Sequence, residues 1–237
     1  MERRDVLKVL AGGTAGAVLA GTVGFGAASV WADDNNAKCE RNGKVKQYPS
    51  SHFYKDGVLD QEAAFAAFFE MFEALNYSLT DTLRGNKDFW VADFGLGDFG
   101  RVGMGGIFWV NDKEHNYFAH EIYLLPNQMI PEHFHLPAED MPAKYESWQV
   151  RYGSIYCCGK GGTKTDELVK LLPPSQIADN AITCFDCREM KVGDYAALSG
   201  LGDPHFMMGG PNGAIVTEYG SWHSFKGLGF TNKKAHA

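Results

Sequence analysis

The sequence predicts an all-β protein, an antiparallel barrel with a helical N-terminal extension. Three observations carry this. From Asp88 onward, apolar residues alternate in short runs separated by Gly, Asn, Asp and Pro, the pattern of paired strands and tight turns. Glycine is abundant, 28 of 237 residues, as many short strands require. Upstream, one segment has helical periodicity, and after it only a short turn at Asp166–Leu172 interrupts the strands. A chain that is 45% hydrophobic and 13% aromatic can bury one sizeable core. Its net charge of −7 gives nucleic-acid binding no electrostatic support.

Three regions follow in order: a signal peptide over 1–32, a flexible arm and helix packing on the barrel over 33–85, and the barrel itself over 86–237. Glu2-Arg3-Arg4-Asp5-Val6-Leu7-Lys8 matches a twin-arginine export signal, and an uncharged Ala/Gly-rich run follows to Trp31. Val30-Trp31-Ala32 suits cleavage, so the mature chain is expected to start at Asp33, periplasmic or otherwise exported, with no stable membrane insertion afterwards. An uncleaved anchor is the alternative; six glycines make the run only weakly hydrophobic.

Residues 33–50 are polar and read as a flexible arm. Asp60 is placed as an N-cap, and Ala63, Phe65, Phe68, Phe69, Phe72 and Leu75 form an apolar helical stripe to about Leu79. These phenylalanines are core material. Strands are expected at Phe89–Phe94, Gly106–Val110, Tyr117–Leu125, Gln128–His135, Ser147–Cys157, Asp186–Val192, Tyr195–Leu198, His205–Met208 and Ala214–Tyr219. Gly95-Leu96-Gly97-Asp98-Phe99-Gly100 matches GxGxxG formally, but Arg101-Val102-Gly103-Met104-Gly105-Gly106 cannot open the helix a dinucleotide site needs. The Asp93-Phe94-Gly95 triplet stands without the other kinase motifs.

Five cysteines remain after export: Cys39, Cys157, Cys158, Cys184 and Cys187. An oxidising compartment favours a bridge from Cys157 or Cys158 to Cys184 or Cys187. A structural zinc on the same residues is the alternative, although the spacing is poor for a zinc ribbon.

His133 and His135 lie two apart, so on a strand both imidazoles share a face and can reach one metal ion. Glu146 follows, then Gly153 after six intervening residues, and His205 lies further on. Three imidazoles and a carboxylate suit zinc, manganese, iron, cobalt or nickel. The plainer alternative is a surface pair of histidines.

This order of HxH, Glu, Gly and late His resembles the cupin motifs, which implies a jelly-roll barrel with a metal in its mouth. Asp93-Phe94-Gly95-Leu96-Gly97-Asp98-Phe99, followed by His133-Phe134-His135, is similar to the D-lyxose isomerase family of cupin sugar isomerases, over about Glu62 to Ser221. The resemblance implies one divalent ion of the manganese type, held by His133, His135, Glu146 and His205. The family's Lys-x-Glu is here Lys144-Tyr145-Glu146, after an insertion that carries Glu139 and Asp140. Glu139 is the competing carboxylate; Glu146 is preferred because only it keeps the neighbouring Lys and the spacing to Gly153. Val216–Ser221 occupies the place of the family's GEVS-like strand. Two features depart from the family: Gly202-Asp203-Pro204 rearranges the usual Pro-x-Gly, and Trp222-His223-Ser224 replaces an Asn/Asp-rich segment.

The activity implied is interconversion of an aldose and a ketose, lyxose with xylulose and also mannose with fructose, by proton transfer through an enediol. Lys144 and Glu218 are the residues expected to transfer protons and position hydroxyls; otherwise they are a solvated lysine and an outer-face glutamate. Asp98 is expected to serve its turn. His223 lines the mouth or is simply packed, and only one of His120 and Glu121 can face inward. The partner is a monosaccharide and the expected assembly a homodimer. Two other functions fit three His and one Glu: an exported non-catalytic cupin that binds a sugar or metal, and a metal-dependent cupin dioxygenase.

Overall fold

The computed structural model describes residues 44–84 and 88–237. The export signal, its cleavage position and Cys39 lie outside the described residues. Tyr54–Lys55 (β1) and Val58–Leu59 (β2) form a hairpin whose turn residues Asp56 and Gly57 both have positive φ, as a two-residue hairpin of primed type needs. The end of the expected arm is docked: Val45 is buried and Tyr48 packs beside it.

Helix α1 runs Gln61–Ala74, and the Asp60 side chain accepts from the Ala63 N–H, capping it as expected. It stops short of Leu79. Asn76 turns left-handed at φ 54°, Tyr77 N–H donates to Phe72 O, and Asn76 N–H donates to Glu73 O. That pair of bonds is a Schellman stop, in which local backbone satisfaction ends the helix before its apolar pattern does. A single turn, α2 (Asp81–Arg84), follows.

The strands are β3 (Phe89–Ala92), β4 (Met104–Asp112), β5 (Tyr117–Leu124), β6 (Met129–His135), β7 (Glu146–Gly159), β8 (Gly161–Gly162), β9 (Cys184–Lys191), β10 (Tyr195–Ala197), β11 (His205–Gly220) and β12 (Leu228–Phe230). The two runs expected at His205–Met208 and Ala214–Tyr219 are one long strand. Between β8 and β9, Thr165 caps α3 (Asp166–Leu171), and Pro174 opens α4 (Pro174–Ala178).

Two strands belong to both halves of the barrel. The first half of β11 pairs with β6 and the second with β5, while β7 lies beside β11 throughout and passes from β10 to β9. The pairings therefore divide into two sheets, β3-β4-β5-β11-β7-β10 and β12-β6-β11-β7-β9-β8, which share β7 and β11. Both shared strands bend at one corner. Gly153 and Gly213 have φ of +69° and +72°, and a Cβ on Gly153 would lie 2.0 Å from Gly213 O. Only glycine allows that approach, which explains the spacing from Glu146.

Three apolar clusters follow from strand alternation. Ile122, Ile130, Val150, Ile155, Met207 and Val216 fill the space between the sheets. Phe68, Met71 and Phe72 of α1 cover the outer face of the first sheet at Phe89, Ile107, Tyr123 and Ile215. Each fully buried side chain of this size contributes about 1.5–3 kcal/mol. Leu168 and Ile177, from the two short helices, cover Met129, Phe206 and Met208 on the second.

Cys158 and Cys187 are cross-strand partners on β7 and β9 and form a disulfide, realising one of the expected pairings. Closing a loop of this length stabilises by about 3–4 kcal/mol in the chain-entropy account. Cys157 and Cys184 are free thiols. Burial, and for Cys184 also Glu132, pushes them up to about 11 and about 12 respectively.

Candidate metal centre and active site

His133 and His135 come from the end of β6, Glu146 opens β7, and His205 opens β11. A β-bulge aims the first two. Where β11 advances from His205 to Met207, β6 passes from His133 to Ile130, so Pro131-Glu132 carries one extra residue. Ile130, His133 and His135 consequently all line the inner cavity, which strict alternation would forbid. The extra residue leaves Glu132 fully buried; it accepts from the backbone N–H of Thr183 and Cys184 and from the hydroxyls of Thr183 and Thr231.

One ligand atom from each of His133, His135, Glu146 and His205 lies within 4.8 Å of the other three. Backbone carbonyls set two of the rings: His133 Nδ1 is 2.9 Å from Pro131 O, and His205 Nδ1 is 3.0 Å from Asp203 O. Each Nδ1 therefore carries the proton and leaves an Nε2 lone pair directed inward. Glu146 Oε1 lies 2.6 Å from His205 Nε2 and 3.1 Å from His135 Nε2. Despite this proximity all three atoms are buried without a hydrogen-bond partner. Buried lone pairs that converge and stay unmatched are what a cation would satisfy. The donor set thus fits a divalent metal.

Charge supports the same conclusion. Lys144 Nζ is 2.6 Å from Glu146 Oε2 and also bonds Glu218 Oε1. One buried ammonium lies between two carboxylates, an excess of acidic groups beside the histidines that a cation offsets. Burial pushes the Glu146 carboxyl up, but Lys144, His135 and His205 outweigh it and hold it well below the usual range. Burial lowers Lys144 and the two carboxylates raise it further, so it stays an ammonium. Burial also lowers His205, but Glu146 raises it above the ordinary imidazole value. His133 is pushed far down, first by burial and then by His205 and His135.

The expected catalytic pair is buried and inward. Glu218 Oε1 takes Lys144, and Glu218 Oε2 takes His120 Nδ1 at 3.0 Å. Alternation on β5 thus turns His120 inward, and Glu121 accepts from Thr217 instead. Glu139 stands apart: it is exposed and accepts from Ser224 and Lys226. The inserted loop turns tightly at Glu139 and Asp140, both with positive φ, before the chain reaches Lys144.

Asp93 accepts from the Tyr54 hydroxyl and Gly95 N–H, and Asp98 from the hydroxyls of Ser50 and Ser175. The glycine-rich motif is therefore a structural tie, with Phe94 alone reaching the cavity. Sequence reasoning gave no functional role to Trp90 or His120 and left His223 undecided, yet all three line the cavity. His223 is pushed down to about 2, mainly by burial and then by Lys144. The cavity has a volume of ≈ 320 Å³, and its remaining walls are largely apolar.

A jelly-roll barrel with three histidines and a glutamate converging on its inner cavity defines the molecule as a cupin with a candidate metal centre. No protein-family model matches the chain. It is 31% identical over 153 residues to the D-lyxose/D-mannose isomerase of Thermosediminibacter oceani, covering 65% of this chain and 80% of the relative. It is 31% identical over 152 residues to the D-lyxose ketol-isomerase of Cohnella laeviribosi, covering 64% and 79%. Its fold is shared with the L-ribose isomerase of Acinetobacter sp. DL28, at a TM-score of 0.56 and 14% identity over 73% of this chain and 92% of that one. The L-ribose isomerase of Cellulomonas parahominis aligns at 0.53 and 16% identity, covering 74% and 95%. The chain belongs to the D-lyxose isomerase family of cupin sugar isomerases. It is a sugar isomerase, which selects among the three functions that the ligand set allowed.

Proposed function

We propose that the protein interconverts a D-aldose and its 2-ketose, with lyxose/xylulose and mannose/fructose as its substrates, using one manganese ion held by His133, His135, Glu146 and His205. The observation that supports this best is the convergence of these four donors beside a buried Lys144–Glu218 pair. A divalent cation held there supplies Lewis-acid polarisation of the sugar carbonyl.

The chain's own residues move the protons. Glu218 removes the C2 proton of the open-chain aldose. The C2–H pair becomes the C1–C2 double bond, and O1 gains a proton from Lys144 to give the enediol. Glu218 returns a proton to C1 while O2 gives its proton back to Lys144, which yields the ketose. Two of the carboxylate's lone-pair sites are taken by Lys144 and His120, which leaves two for substrate. Lys144 holds the oxygen on which negative charge develops. The apolar walls limit competing water and strengthen these interactions.

Incubating the manganese-loaded protein with D-lyxose or D-mannose in deuterated water should give ketose carrying deuterium at C1. No conversion of any aldose by fully metallated protein would remove this reading.

We also propose twin-arginine export, on the strength of Arg3 and Arg4 before the weakly hydrophobic run. Among the described residues no helix is long and apolar enough to cross a membrane. Arg3→Lys with Arg4→Lys should leave precursor in the cytoplasm; unchanged export in cells lacking that pathway counts against it.

A further inference from the structure

Away from the metal cluster, a second set of buried polar atoms has no partner. Among the described residues these are Trp90 Nε1, His120 Nε2, Gln176 Nε2 and both ring nitrogens of His223. All except Gln176 belong to residues that line the cavity. Unmatched buried donors and acceptors are costly and few in native proteins, so four of them on one apolar cavity call for an occupant that supplies hydrogen bonds.

The three side chains form one wall. Trp90 stacks on His120 with centroids 5.5 Å apart, and Phe108 touches both His120 at 4.8 Å and His223 at 5.7 Å. The wall begins beside the metal donors, where His223 meets His135 edge-on at 5.7 Å. It is held in place. Asn111 brackets the His223 backbone, accepting from its N–H at 2.9 Å and donating to its carbonyl at 3.0 Å. Gly106 makes room for the other two: a Cβ there would lie 2.4 Å from His120 Nε2 and 2.7 Å from the Trp90 ring.

The polarity of each atom follows from its surroundings. Trp90 Nε1 can only donate. His120 Nδ1 faces the Glu218 carboxylate, which accepts, so His120 Nε2 keeps its lone pair and is an acceptor. A neutral imidazole at His223 offers one of each. A secondary hydroxyl gives one bond and takes another, so this mixture suits a polyol chain better than an anion or an apolar ligand.

We propose that Trp90, His120 and His223 form the subsite that reads the hydroxyls of the open-chain sugar beyond its reacting carbon pair. This rests on the isomerase function proposed above, whose metal and proton-transfer residues lie next to the wall. Sites built to bond a hydroxyl discriminate strongly against analogues that lack it.

The test is a cycle of enzyme variants against deoxy sugars. kcat/KM would be measured for D-lyxose and its 3-, 4- and 5-deoxy analogues with the native protein, His223→Leu and Trp90→Phe, alongside metal content. Trp90→Phe keeps an aromatic ring and removes only the N–H, so it remains informative if His223→Leu folds poorly. We expect each variant to retain its metal and to lose about 10- to 100-fold on lyxose. On one deoxy analogue the native protein should fall by the same factor and the variant should show no further loss. Equal loss by a variant on lyxose and on every analogue would overturn the proposal, as would loss of the metal. Calorimetric binding of the matching alditol and deoxyalditols keeps the two hypotheses apart. If no aldose is turned over, the isomerase function fails. The wall then stands only if the variants weaken alditol binding at one hydroxyl.

Discussion

His135→Ala is expected to abolish stoichiometric binding of a divalent metal. The His135 imidazole is buried, its Nε2 lies 3.1 Å from Glu146 Oε1, and it supplies one of the four donors that converge among the described residues. Truncation removes a donor and leaves a void that water fills poorly among the apolar walls. Residues that merely orient ligands cost about 10- to 100-fold in metal affinity when changed, so a donor should cost more than the upper figure. Glu146→Ala is expected to behave alike, and it also strips Lys144 of one of its two carboxylates. Glu139→Ala should leave metal content unchanged, because its carboxylate is spent on Ser224 and Lys226 at the surface. Elemental analysis after dialysis against excess manganese checks all three. If Glu139→Ala loses the metal while Glu146→Ala retains it, the carboxylate assignment is wrong.

Lys144→Met is expected to keep the metal and to lose about two or more orders of magnitude in kcat, the scale of a positioned acid–base group. An ammonium cannot ligate a cation, so its removal takes away no donor. Removing its positive charge beside Glu146 should hold the cation at least as tightly. The cost falls elsewhere: Glu146 and Glu218 lose the charge that lies between them, and breaking a buried pair destabilises by about 3–5 kcal/mol. Metal loading should recover part of that stability. Glu218→Gln should give a similar loss in rate with a smaller loss of stability, because the amide keeps the side chain's shape. Turnover numbers are to be compared at saturating manganese, with melting temperatures in parallel. Recovery of full activity by Lys144→Met at high manganese would show that Lys144 serves metal retention and not the reaction.

Much of the barrel and of the metal centre was legible in the chain because its signals are local. Alternation marked the strands, Asp60 marked the start of α1, HxH put two imidazoles on one face, and Lys-x-Glu put Lys144 beside Glu146. The exact length of α1 was not, because Asn76 and Tyr77 close a Schellman stop inside a pattern that runs on to Leu79. Nor was α4, since a turn of five residues that opens on proline has too few positions to show a period.

By itself the sequence marked most of the strands along the chain and brought out His133, His135, Glu146 and Gly153 by residue type and spacing within a short stretch. Only the tertiary structure decided which face those residues present and what meets them across the barrel. The bulge at Pro131-Glu132 is visible only against β11. His120 reaches Glu218 across 98 residues of chain through the β5–β11 register. Trp90, His120 and His223 come from three separate segments to one wall. Such convergence depends on which strands pair and in which register. That is settled by burial summed over the whole fold, and no local pattern in the chain records it.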